Sequence, residues 1–97
     1  MKLTKYNEEE LTAIEENAGL FFTPMEIASI LEKDSDEFII DFKSNIDGIK
    51  TKYDRGLLLS QATMRKSLIE LANRGSNTAI TDVLRMLTKL QKKLDNL

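Results

Sequence analysis

The 97-residue chain contains no Cys and no His, one Pro and four Gly. The missing Cys and His remove thiol nucleophiles, disulfides, imidazole bases and the commonest transition-metal ligands together. With them go most hydrolytic constellations. No stretch approaches the roughly 18 consecutive apolar residues of a membrane span, and the opening MKLTKYNEEE has no apolar run for a signal peptide. A cytoplasmic protein without a membrane partner is expected. The scarcity of Pro and Gly leaves little punctuation, so long helices are the natural outcome.

The chain is rich in charge, and the charge is divided. Residues 1–50 hold five Lys and no Arg against twelve acids, a net of -7, whereas residues 51–97 hold five Lys and four Arg against four acids, a net of +5. Such asymmetry points to a half that faces nucleic acid, or to attraction between copies. A length below 100 residues means one small domain with a modest core, which self-association can complete.

Local signals place five helices. Asn7 followed by Glu8, Glu9 and Glu10 is an N-terminal cap with acids at the positive end of the helix dipole, and Leu11, Ile14 and Ala18 line a helix over 8–18. Thr23-Pro24-Met25-Glu26 is a capping box with Pro at the first helical position, opening a helix over 24–32. Asp34 and Glu37 form a second such box, and Phe38, Phe42 and Ile46 mark a helix over about 36–46. A long helix over 48–73 carries the stripe Ile49, Tyr53, Leu57, Gln61, Met64, Leu68 and Leu71. Gly75 suits a left-handed helix end, and Ser76 or Asn77 opens the last helix, lined by Ile80, Val83, Leu84, Leu87, Leu90, Leu94 and Leu97.

The expected fold is therefore all-α: a three-helix, helix-turn-helix-like unit over 1–47, then an antiparallel helical hairpin over 48–97. The last helix has a second apolar line, Ala79, Val83, Met86 and Leu90, and one partner helix rarely covers two lines. Self-association is expected through Gly56, Met64, Leu68, Leu71, Val83, Met86, Leu87, Leu90 and Leu94. Gly inside a helix costs about 1 kcal/mol relative to Ala, so Gly56 implies close approach of another backbone or a local kink.

Two cation sets are candidates for phosphate contact. Arg85, Lys89, Lys92 and Lys93 share one face of the last helix by their spacing. Around the third helix, Lys43, Ser44 and Asn45 can approach bases or phosphates, flanked by Lys50, Lys52 and Arg55, although Asp36, Glu37, Asp41 and Asp47 make that region acidic. Paired carboxylates such as Glu15 with Glu16 read as solvated faces. With no Gly-rich phosphate loop and no metal-ligand cluster, no catalytic residue, metal or cofactor is expected, and the chain is read as non-enzymatic.

The run Tyr53-Asp54-Arg55-Gly56, followed by RKSLIELANRGSNTAI from Arg65 to Ile80, resembles the second half of small terminase subunits of tailed bacteriophages. The segment FTPMEIASILEKDSDEFIIDFKSN resembles their helix-turn-helix part. The resemblance implies a non-enzymatic subunit in the bacterial host cytoplasm that recognises viral double-stranded DNA, assembles into a ring-like homo-oligomer, and delivers the DNA to a large terminase subunit carrying ATPase and nuclease activities. It places Tyr53 and Gly56 at the junction of the two parts and Gly75 in the hairpin turn. The acidic third helix departs from the family pattern. Other readings open at this stage are a helical adaptor that binds another protein's helix and a small dimeric helix-turn-helix transcription regulator.

Overall fold

A computed structural model describes residues 4–97. Among these residues there are five α-helices and no strand, so the protein is all-α. The helices are α1 (Glu8–Gly19), α2 (Pro24–Ile30), α3 (Ser35–Lys43), α4 (Ile49–Asn73) and α5 (Asn77–Asp95), with one 3-10 turn over Ile46–Gly48. The chain divides into two compact units, one running to Gln61 and one over Ala62–Leu97. The first includes the opening turns of α4.

Each short helix starts where a side chain satisfies its free amides. Asn7 and Thr23 accept from the amides of Glu10 and Glu26, whose carboxylates accept in return from the amides of Asn7 and Thr23, so α1 and α2 both begin with full capping boxes. At α3 only half the box forms. Asp34 accepts from the Glu37 amide at 2.9 Å, but the Glu37 carboxylate is drawn away to the Lys5 ammonium. Helix α3 also ends at Lys43, earlier than its apolar spacing suggests, because Asn45 (φ 51°) and Asp47 (φ 53°) take left-handed backbone. Ile46 is thereby left outside the helix and exposed.

The core of the first unit joins Tyr6, Leu11, Ile14, Ile27, Ala28, Phe38 and Ile49, with Phe22, Leu31, Phe42 and Tyr53 packed against it. Four aromatic rings run through it in sequence. Tyr6 meets Phe38 edge-on at 5.9 Å, Phe38 lies 6.5 Å from Phe42, and Phe42 meets Tyr53 edge-on at 5.2 Å. The Tyr53 hydroxyl donates to the Phe22 carbonyl at 2.8 Å, tying α4 to the turn between α1 and α2.

Gly56 explains how α4 can lie so close to α1. A Cβ on Gly56 would sit 2.0 Å from the Glu15 carbonyl oxygen and 3.0 Å from the Ala18 Cβ. The close approach expected at this glycine is thus made by α1 of the same chain.

In the second unit, α4 ends in a Schellman turn, with the Ser76 amide donating to the Leu71 carbonyl and the Gly75 amide to that of Ala72. Gly75 supplies the left-handed residue at φ 94°, and Ser76 caps α5 through the Ala79 amide. Ala79 is the one buried residue of this unit.

Candidate nucleic-acid and assembly surfaces

A cation paired with a carboxylate of its own chain must leave that partner to meet a phosphate, a modest cost where the pair is exposed, and the two candidate sets differ in how many of their cations are paired. In the first unit, Lys5 pairs with Glu37 and Asp41, Lys33 with Glu10 at 2.9 Å, Lys50 with Asp54 at 2.8 Å, Lys52 with Glu15 at 3.8 Å, and Arg55 reaches Glu15 at 4.0 Å. Among the described cations of that unit, only Lys43 has no ion pair. Asn45 is also engaged. Its Oδ1 accepts from the amides of Lys50 and Thr51 at 2.9 and 3.2 Å, and its amide nitrogen donates to Thr51 Oγ1, so it caps the start of α4. Lys43 and Ser44 remain exposed at the end of α3.

The acidity ascribed to α3 is also lower at its surface than the sequence suggests. Asp41 is only 8% exposed, and its Oδ2 accepts from the Tyr6 hydroxyl at 2.6 Å and the Lys5 ammonium at 2.7 Å. Asp47 turns toward the N-terminal segment, accepting from the amides of Lys5 and Tyr6 at 2.6 and 2.8 Å. Lys5 and the Tyr6 hydroxyl hold the Asp41 carboxyl below its ordinary range, and burial followed by the Asp41 contact pushes the Tyr6 phenol well above its own. This clasp joins residues 35 or more positions apart, and no local pattern marks it.

The second unit is different. Arg85 pairs with Asp82 at 3.5 Å one turn away, an exposed contact of little strength. No ion pair holds Arg65, Lys66, Arg74, Lys89, Lys92 or Lys93 among the described residues. By unit, the first carries seven cations against thirteen acids and the second seven against three, or -6 and +4. Arg65 from α4 lies with Met86, Lys89, Leu90 and Lys93 of α5 around one shallow cleft. Arg65 was not among the expected contact residues. Counting outward from Gly75, ten residues back along α4 reaches Arg65 and ten to eleven forward along α5 reaches Arg85 and Met86, so the expected antiparallel hairpin brings Arg65 to this stretch of α5, which is the signal that would have found it.

The expected assembly residues fall into three groups. Gly56 is consumed by the crossing with α1. Val83, Met86 and Leu68 are half-buried, as is Ala72. Met64, Leu71, Leu87, Leu90 and Leu94 are exposed, and Ile80 and Leu84 join them. On α5, Ile80, Leu84, Leu87 and Leu94 recur at spacings of four, three and seven, which is one line along the helix interrupted only at Gln91. The cations Arg85, Lys89 and Lys92 lie on the other side of that helix.

No group of three or more acidic, His or Cys side chains that could hold a metal exists among the described residues, and no described helix is long and apolar enough to cross a membrane. Comparison with known proteins adds no assignment: no protein-family model, curated protein or solved structure matches the chain.

Proposed function

We propose that the protein is a non-enzymatic, self-associating DNA-binding subunit of the small-terminase kind, which presents viral DNA to a large ATPase and nuclease subunit. The observation that carries this reading is the two-sided character of α5. One side is an exposed line of Ile80, Leu84, Leu87 and Leu94 suited to another copy, and the other carries Lys89, Lys92 and Lys93 without carboxylate partners. A helix of this kind joins assembly to phosphate contact on one element. The resemblance of the Tyr53–Gly56 and Arg65–Ile80 runs to small terminase subunits supports the same reading. The helix-turn-helix role of α1 to α3 and the antiparallel pairing of α4 with α5 belong to this proposal.

Within it, phosphate contact is assigned to the second unit. In the first, Lys50, Lys52 and Arg55 are paired and Asn45 is a cap, which leaves Lys43 and Ser44 as its contribution. A second reading, an adaptor whose α5 receives another protein's helix, draws on the same leucine line and needs no cation.

Light scattering of the full chain over a concentration series, with titration of a labelled duplex at low and moderate salt, tests the proposal. A closed multimer that binds duplex with a steep salt dependence is the expected result. A monomer that ignores DNA at low salt overturns it, and a multimer that ignores DNA favours the adaptor.

A further inference from the structure

The free cations of the second unit are not equivalent, and the difference lies in what is beside them. Lys66 and Lys92 stand on exposed helix surface, and Arg74 is exposed in the turn after α4. Arg65, Lys89 and Lys93 instead line one cleft together with the apolar side chains of Met86 and Leu90. Lys89 and Lys93 are successive turns of α5, about 6 Å apart along its axis, and Arg65 reaches the same cleft from α4.

From this geometry we infer that Arg65, Lys89 and Lys93 form a seat for the nucleic-acid backbone, with a phosphate among the three cations and the adjoining sugar on Met86 and Leu90. The inference rests on the DNA reading above and names the place where that contact is made. Three physical considerations support it. Apolar side chains beside the charges lower the local dielectric response, and a cleft lined by charge of one sign concentrates its field, so these cations attract an anion more strongly than equal charges on a convex surface. Two helices contribute, so the three charges are fixed relative to each other by backbone instead of being carried on one flexible row. Among the described residues no carboxylate pairs with any of them, so an incoming phosphate displaces only counterions. The remaining free cations, Lys66, Arg74 and Lys92, are spread over the same unit. A duplex, with one charge per about 1.7 Å, meets the seat and these outlying cations together, whereas a short acidic peptide fills the seat alone.

The inference is tested by comparing two charge-matched triple variants of the full chain: Arg65→Gln, Lys89→Gln and Lys93→Gln in the seat, against Lys66→Gln, Arg74→Gln and Lys92→Gln outside it. Circular dichroism and solution mass establish that both keep their fold and assembly. Binding of a fluorescein-labelled duplex of arbitrary sequence is followed by anisotropy across a salt series, with polyglutamate as competitor. The seat variant is expected to lose about tenfold or more in affinity and two to three units of salt slope, the outer variant clearly less. Equal losses in the two variants overturn the seat while leaving DNA binding intact. No binding by the unaltered protein at low salt overturns both the seat and the DNA reading. Polyglutamate that displaces the duplex as well as unlabelled duplex does at equal charge assigns the seat to an acidic peptide and overturns its assignment to nucleic acid.

Discussion

Asp41 accepts hydrogen bonds from a phenol and an ammonium at one oxygen, and its replacement by Ala leaves the Tyr6 hydroxyl buried without an acceptor. The expected cost is about 1–3 kcal/mol, read as a lower midpoint of thermal unfolding. Tyr6→Phe should cost less, because Asp41 then keeps Lys5. The same clasp, together with the Lys33–Glu10 pair, sets the pH dependence. The folded Asp41 and Glu10 carboxyls titrate below their unfolded values, Asp41 held down by Lys5 and Glu10 by Lys33, so their contribution is complete above about pH 4 to 5 and disappears as pH falls through the folded values. Tyr6 is raised, so its contribution holds below about pH 10 and is lost as pH rises through the folded value. Denaturant midpoints measured from pH 2 to 11 should show both limbs, and Asp41→Asn should shorten the acid one. Gly56 is the other critical residue. Gly56→Ala directs a methyl group at the Glu15 carbonyl, backbone that cannot rotate aside, and should destabilise the first unit by about 3 kcal/mol. A variant with an unchanged thermal midpoint would disprove the crossing.

At the scale of elements, the caps were legible because their partners lie three residues away: Asn7 with Glu10, Thr23 with Glu26, Asp34 with Glu37, and Gly75 by its need for a left-handed residue. Helix ends were less legible where a residue type with no such preference adopts that conformation, as Phe21 and Glu32 do, because nothing in the residue type announces it. The surfaces were legible only in part. Spacing alone separates the leucine line of α5 from its cations, but which cations are free depends on acids far along the chain, such as Glu15 beside Lys52 and Arg55. For the same reason Asp41, counted as surface acidity on α3, is a buried acceptor. The leucine line yields a direct prediction. Leu84→Gln with Leu87→Gln changes residues 58% and 49% exposed in the single chain, so helix content by circular dichroism should stay the same while the mass by light scattering falls. If mass is unaltered, the line is not the contact between copies.

For the molecule as a whole, the unequal distribution of buried residues has a thermodynamic consequence. The first unit has a connected core of seven buried side chains closed by four partly buried ones. The second, over Ala62–Leu97, buries only Ala79 and has no Cys for a disulfide. Units of fewer than about 40 residues usually need a disulfide, a metal or association to hold a fold. Under the assembly proposal, association with other copies supplies that support. Burying an exposed leucine side chain against another copy contributes about 1.5–3 kcal/mol, and Ile80, Leu84, Leu87 and Leu94 offer that several times over. If the second unit draws its stability from other copies, mass action requires its unfolding midpoint to rise with protein concentration while that of the first unit does not. Thermal unfolding followed by circular dichroism from low to high micromolar concentration should therefore show a transition that moves upward with concentration and another that stays in place. Asp41→Ala should shift the stationary transition, and the Leu84 and Leu87 substitutions the moving one. A pattern independent of concentration, in a protein that stays monomeric throughout, would mean that the second unit is held without other copies, and the leucine line would then be a surface awaiting a different helix.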